Sequence, residues 1–360
     1  MKKIKFAFIG GGNNSNIGKA HLRALNSSGK WTLVSGLFSR NKKNNFTEFN
    51  DENIRKYSDI ESFISKEKDK IDVVILLTPP KENFRILKKL LEIKKPIICE
   101  KPVLNSLIKA KEINNMIKKN KIFFRVAYNY SEYPALKEIK NLLKKKEILK
   151  INIDMPQQGL FLNNSKIKTW RLKDENLPTL YLDLGSHIFN LCFFLLGKYP
   201  YKISSINRSY KQKNLVDDSN FWCKFSKNID GNFWISKFAG GNNNSLKINI
   251  VSRTFSILWE HQNPDTIIYS KNNGEQKIIN RSNQNLKYMN NKKYNTYMAG
   301  HPTGYLETFV NFYNDIYDDF MNKNFTSKID GIYNFEHCYK IIKILTSAKI
   351  ASQKENWVKI

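Results

Sequence analysis

The chain predicts two α/β domains. An N-terminal doubly wound parallel sheet occupies residues 1–127, and an α+β domain with a mostly antiparallel open sheet occupies 128–360. Three observations predict this. An apolar strand, a glycine-rich turn and a helix follow one another within residues 4–25. Buried strands then alternate with helices as far as residue 127. Beyond that the alternation stops, and a run of strand-like segments is closed by two helices. At 360 residues the chain also exceeds the usual size of one hydrophobic core.

The first strand is Ile4 to Ile9, followed by Gly10-Gly11-Gly12-Asn13-Asn14-Ser15-Asn16-Ile17-Gly18 and a helical pattern from Lys19 to Leu25. That order suits a dinucleotide pyrophosphate, which needs close backbone approach and helix N-terminal amides aimed at the anion. Gly10 and Gly12 fit the first two places of Gly-x-Gly-x-x-Gly, while Ser15 stands in the third with Gly18 beyond it; a merely structural glycine turn is the alternative. The second strand, Trp31 to Phe38, ends in Ser39-Arg40. An acidic residue there would accept hydrogen bonds from an adenosine ribose, whereas Arg accommodates a 2′-phosphate, so this pair leans toward NADP. Arg40 reads equally as a solvated turn residue.

A helix from Tyr57 to Lys68 leads to a buried strand, Ile71 to Leu77, ending at Thr78-Pro79-Pro80. A helix from Lys81 to Ile93 precedes the strand Ile97-Ile98-Cys99, which finishes unusually in Glu100-Lys101-Pro102. Pro102 fixes its own φ and biases Lys101 toward extended geometry, which holds the lysine at the sheet's carboxyl end, where ligands of open α/β sheets bind. A solvated turn is the plain alternative. Helix Ser106 to Lys119 and strand Ile122 to Ala127 complete the first domain.

In the second domain a helix, Pro134 to Lys145, precedes strand-like segments at 148–154, 201–210, 219–226, 231–239, 245–252, 255–260 and 265–270, which read as a meander. Residues 271–298 form a polar, Asn- and Lys-rich excursion, and helices at about 302–321 and 331–352 close the chain. Alternation in the strands leaves Phe221, Phe225, Phe233 and Ile235 needing cover, from helices on one face and a partner subunit on the other. Between the strands, Asp183 to Leu196 has helical period, with Asp183 as N-cap or first-turn residue and Gly197 as the C-terminal stop. Asp183 and His187 are four apart and share a helix face. A carboxylate beside an imidazole sets its orientation and protonation, as a general acid/base requires. A capping Asp and a satisfied core histidine are the alternative.

The formal charge of +28 invites a nucleic-acid partner, but only nine of the 60 basic residues are Arg, and Lys is spread over helix faces among abundant Asn. Base-edge readout favours Arg, so no specific nucleic-acid binding is expected. No apolar run approaches the ~20 residues of a membrane span, and the N-terminus lacks a signal-peptide profile, so the expected compartment is the cytoplasm, with no membrane partner. Cys99, Cys192, Cys223 and Cys338 lie far apart without a Cys-x-x-Cys pair. They are expected as buried reduced thiols, and no metal site is expected.

Taken together and in order, Glu100-Lys101-Pro102 and Asp183-Leu184-Gly185-Ser186-His187 resemble the Gfo/Idh/MocA family of sugar and inositol dehydrogenases. The resemblance covers nearly the whole chain. It includes Gly10-Gly11-Gly12 with Ile17-Gly18 and His21, Asn129-Tyr130 with Tyr133-Pro134, Gln158-Gly159, Trp170-Arg171, Trp259 with Gln262 and Pro264, and Gly300-His301-Pro302 with Gly304-Tyr305 and Glu307. It implies a Rossmann domain joined to an α/β domain whose open sheet often mediates oligomerisation, here a homodimer or tetramer, and an NAD(P)-dependent oxidoreductase acting on a carbohydrate or polyol. His187 would be the general base, Asp183 would hold and tune it, and Lys101 would stabilise charge on the same hydroxyl oxygen. The cofactor would meet Gly10, Gly12, Asn13, Asn14, Ile17, Ser39, Arg40, Thr78, Pro79, Glu100 and Lys101. Asn129, Tyr130, Gln158, Arg171 and His301 would line the substrate site. A non-catalytic nicotinamide-binding regulator on the same fold is the rival reading; retention of Lys101, Asp183 and His187 together argues against it.

Overall fold

The computed structural model describes residues 2–12, 15–38, 53–160, 169–324 and 326–360. These form two compact units, Met1–Asn129 with Tyr305–Tyr339, and Tyr130–Gly304 with Lys340–Ile360. Residues Tyr305–Tyr339, which the sequence reading assigns to the second domain, thus fold with the first unit.

The first unit runs β1 (Ile4–Gly10), α1 (Asn16–Ser28), β2 (Trp31–Leu37), β3 (Arg55–Lys56), α2 (Ile60–Glu67), β4 (Val73–Leu77), α3 (Pro80–Glu92), β5 (Ile97–Glu100), α4 (Leu107–Asn120) and β6 (Phe124–Ala127). All its strands pair in parallel, in the order β3-β2-β1-β4-β5-β6. β4 and β5 are buried along their whole length, which explains their unbroken apolar runs. The order reverses between β1 and β4, and a crevice opens at such a switch point. Short polar side chains start the helices: Ser15, Asp59 and Ser106 cap α1, α2 and α4. The helix expected over 57–68 is shorter because Arg55–Lys56 pairs with β2 and Asp59 caps at the next turn.

Two later helices are α7 (Tyr305–Met321) and α8 (Phe335–Lys354). α7 joins the first unit's core, where Phe309, Phe312, Tyr313 and Ile316 pack with Phe6, Phe8, Leu22 and Trp31. Arg125 on β6, fully buried, donates to Asp319 of α7 at 3.0 Å and to the carbonyls of Phe124 and Asn324, so the buried guanidinium is held by one carboxylate and two carbonyls.

The second unit contains α5 (Pro134–Leu142), β7 (Ile148–Pro156), α6 (Ser186–Leu196), β8 (Lys202–Arg208), β9 (Asp218–Ser226), β10 (Ile229–Ser236), β11 (Lys247–Ser252), β12 (Phe255–Glu260), β13 (Thr266–Lys271) and β14 (Gln276–Asn280), most of α8 and β15 (Val358–Lys359). These strands form one sheet, β14-β13-β12-β11-β7-β10-β9-β8-β15, in which only β7 and β10 pair in parallel. β7 therefore sits at the centre rather than at the start of a plain meander.

One expectation is extended here and one corrected. The polar excursion contains β14, an exposed edge strand on β13, and its next turns are pinned where Glu138 accepts from the backbone N–H groups of Tyr288 and Met289. Its Gln-Lys-Ile-Ile-Asn composition hides an edge strand because neither face is buried. Phe221, Phe225, Phe233 and Ile235 are all buried within the chain, with Phe221 and Phe233 edge-on to Phe189 of α6. The uncovered face instead carries Asn152, Asp154, Asn220, Trp222, Asn232, Trp234, Lys247 and Asn249 around a shallow hollow of about 390 Å³.

Candidate active site

In the first unit the glycine loop is built for close approach. Gly10 and Gly11 have φ of +83° and +77°, and a Cβ on Gly10 would lie 2.9 Å from the backbone of Leu77 and Thr78. A Cβ on Gly18 would fall 2.4 Å from the carbonyl oxygen of Gly11. Gly10, Gly11 and Gly18 must therefore be small. Ser15, in the place of the third motif glycine, is the N-cap of α1, its Oγ accepting from the Gly18 N–H at 3.1 Å. Ile17 lies in the first turn of that helix, and the Gly12 carbonyl accepts from the Ser15 N–H at 2.8 Å. Gly11 and Gly18 were detectable as glycines in the sequence, but their roles depend on the observed backbone.

At the carboxyl ends of β1, β2 and β4 a cavity of about 610 Å³ is lined by Ile9, Gly10, Leu37, Phe38, Thr78 and Arg85, with Ile60 and Ile86 adding apolar wall and Asp59, Glu61 and Glu82 adding carboxylates. Apolar walls beside a glycine loop fit an adenosine and pyrophosphate. Thr78 donates to Asn83 Oδ1 at 2.5 Å, and Asn83 in turn donates to the Val103 carbonyl at 2.8 Å, which ties the end of β4 to the segment after Glu100-Lys101-Pro102. Pro79 is the N-cap of α3, with Pro80 at its first position. The Lys101–Pro102 peptide is cis, which the sequence does not announce. Glu100 is buried, and Lys101 follows it, half-buried, beyond the end of β5. Asn129 is buried and donates to Thr308 Oγ1 at 3.0 Å. Asn13, Asn14, Ser39 and Arg40 lie outside the described residues.

In the second unit, Tyr181–Gly185 forms a single π-helical turn, closed by the Ser186 N–H on the Tyr181 carbonyl and running directly into α6. Asp183 is therefore a first-turn residue, the second of its two expected places, but inside a widened π turn and not an N-cap. A pattern of Leu and Gly cannot separate the two forms, and such π turns recur at functional sites. Asp183 Oδ2 accepts from Lys237 Nζ at 2.6 Å and from Arg171 Nε at 3.0 Å, and the Arg171 guanidinium also stacks over Trp170. Lys237 follows β10, is 7% exposed, and was missed in the sequence, where it is one Lys among many.

His187 is buried, and its ring meets that of Tyr130 edge-on with centroids 4.7 Å apart. Burial, with the Asp183 charge adding, pushes the Tyr130 hydroxyl up to about 12, although the Asn244 hydrogen bond pulls the other way. Tyr130 stays neutral as a result. His261 packs on the same ring at 5.5 Å and bonds Tyr133 Oη at 2.9 Å; burial lowers its pKa, which favours the neutral imidazole. Gln158 reaches the cluster through the 241–244 turn: its Oε1 accepts from the Gly241 N–H, while Gln157 and Tyr130 both bond Asn244. His301 is exposed, in a segment held by Arg281, and is not drawn into this network. Tyr130, Arg171, Asp183 and His187 are thus brought together with Lys237 and His261. The cluster offers an imidazole beside a neutral phenol and a carboxylate neutralised by two cations.

Among the described residues no group of His, Cys, Asp and Glu is arranged to hold a metal ion, and no helix is long and apolar enough to cross a membrane. Residues 4–128 match the model of an oxidoreductase family with an NAD-binding Rossmann fold, and residues 140–360 match that family's C-terminal alpha/beta domain. An oxidoreductase of Bacillus subtilis, YfiI, is 24% identical over 287 residues, covering 74% of this chain and 73% of its own. An inositol dehydrogenase homologue from Azotobacter vinelandii, solved with NADH and myo-inositol, has a TM-score of 0.89 at 19% identity, over 100% of this chain and 98% of its own. A levoglucosan dehydrogenase solved with NADH and levoglucosan has a TM-score of 0.85 at 19% identity, over 100% of both chains.

Proposed function

This chain belongs to the Gfo/Idh/MocA family of NAD-binding oxidoreductases, and from that premise we propose that it transfers a hydride between a nicotinamide and a hydroxyl-bearing carbon of a sugar, sugar derivative or inositol. The observation that carries the proposal is the buried His187, one turn beyond an Asp183 fixed by Lys237 and Arg171. The inositol and levoglucosan found with structures of similar fold support a polyol as substrate class.

A bound nicotinamide supplies the hydride acceptor. The chain's own residues handle the proton and the charge. His187 takes the hydroxyl proton on a ring nitrogen as the alcohol is oxidised and returns it in the reverse direction. Lys101 donates to the same oxygen and stabilises the charge that develops there. Asp183 orients the histidine from a position that two cations keep constant. Tyr130, a neutral phenol against the imidazole, and Arg171 are proposed to face the substrate, with Asn129 and Gln158 completing the lining. The lean toward NADP rests on Ser39 and Arg40 and stays a proposal, as does assembly into a homo-oligomer.

Incubating the protein with NAD⁺ or NADP⁺ and a panel of inositols, anhydrosugars and sugars tests the reading through the near-ultraviolet absorbance of reduced nicotinamide. Turnover of at least one cyclic polyol is expected. Absence of reduction with every member and both cofactors would contradict it.

A further inference from the structure

We propose that His21 and Tyr313 are positioning residues for the nicotinamide end of the dinucleotide: by holding one oxygen of Glu100 they leave the other to accept a hydrogen bond from a donor on the nicotinamide riboside. The inference rests on the dinucleotide reading of the first unit and goes beyond it by adding two residues on α1 and α7.

Three buried groups carry the argument. His21 and Tyr313 are 0% exposed and Glu100 8%. His21 Nδ1 lies 2.6 Å from Tyr313 Oη, and Nε2 lies 3.4 Å from Glu100 Oε1. A carboxylate only accepts, so Nε2 carries the proton. In a neutral ring Nδ1 is then the acceptor, and Tyr313 donates to it. Burial, with the Glu100 charge adding, holds the Tyr313 phenol well above its ordinary pKa, so the hydroxyl keeps its proton. Phe309 packs edge-on to the imidazole at 4.7 Å and Tyr313 at 5.7 Å, fixing the ring plane. The chain of contacts ends in Glu100 Oε2, which is buried and has no hydrogen-bond partner among the described residues.

A buried carboxylate oxygen without a donor is costly unless a ligand supplies one. The sheet order indicates which part of the ligand this is. The adenosine-sized cavity lies over β1, β2 and β4, and the glycine loop follows β1, whereas Glu100 ends β5 on the far side of β4. A dinucleotide crossing the switch point brings its second nucleoside to that side. The nicotinamide riboside carries suitable donors, its carboxamide N–H and ribose hydroxyls.

Calorimetric titration of the full chain with NADH, and separately with ADP, tests the assignment, because ADP has the adenosine and pyrophosphate but no nicotinamide riboside. Glu100→Ala and His21→Ala are expected to weaken NADH by about tenfold or more, and Tyr313→Phe by a smaller factor, with ADP affinity unchanged. His21→Gln, which retains a donor toward Glu100, is expected to recover part of the loss. Unchanged NADH affinity in the variants would overturn the proposal, as would parallel loss of NADH and ADP, which would make the three residues supports of the α1 fold. Failure of the wild-type chain to bind NADH would instead overturn the dinucleotide reading itself, and it is read before any variant is made.

Discussion

Buried carboxylates in this chain are held by cations in two different ways. On Glu67, whose side chain is fully covered, burial favours the neutral acid, yet the two hydrogen bonds from Arg55 at 2.7 and 2.8 Å and one from Tyr57 at 2.6 Å outweigh it and hold the pKa at about 2. A carboxylate whose folded pKa is depressed contributes stability that is fully present above its ordinary value of 4.5 and is lost as pH falls toward about 2. Glu67→Gln should therefore be less stable than the parent near neutrality, and the gap should narrow as pH is lowered from about 6 to about 3. Urea midpoints across that range check it, and a constant gap would assign the bond no linkage to protons. Asp183 is held by two cations on one oxygen, and here the sequence is silent. Arg171 was legible as a site candidate through its Trp170-Arg171 setting. Lys237 was not, because nothing distinguishes one Lys in a Lys-rich chain until the fold buries it against a carboxylate.

At the level of elements, period was enough to locate most helices, and Gly197, read as the stop after Leu196, takes the positive φ of that place; the caps Ser15, Asp59 and Ser106 emerge only with the structure. The π turn at Tyr181–Gly185 was not legible, because a one-residue widening leaves the apolar pattern intact. The nine-stranded sheet gives a similar lesson about faces. Strand alternation correctly showed two unlike faces, but Phe221 and Phe233 point toward α6, and the uncovered face is Asn-rich with Trp222 36% and Ile206 43% exposed. An open face of polar ladders interrupted by apolar side chains suits a wet, symmetric contact with a second copy. Light scattering at micromolar concentration is expected to give a dimer or tetramer that Trp222→Lys together with Ile206→Lys shifts toward monomer. A wild-type chain that stays monomeric would count against it.

For the whole molecule, ordered short motifs led to the family, which the large positive charge does not indicate. Glu100-Lys101-Pro102 and Asp183 to His187 identified the family because their order along the chain is improbable in unrelated proteins. The part of the first unit supplied by Tyr305–Tyr339 was hidden, since nothing in the amphipathic period of α7 says which core it serves. The central claim is that His187 moves the proton during hydride transfer. Its most direct test is steady-state turnover of His187→Ala on the polyol identified for the wild type, with NADH affinity measured alongside. A fall in kcat on the order of 10²- to 10⁴-fold with cofactor affinity nearly intact is the predicted result. Turnover near the wild-type rate would contradict the mechanism and leave His187 as a packed core histidine.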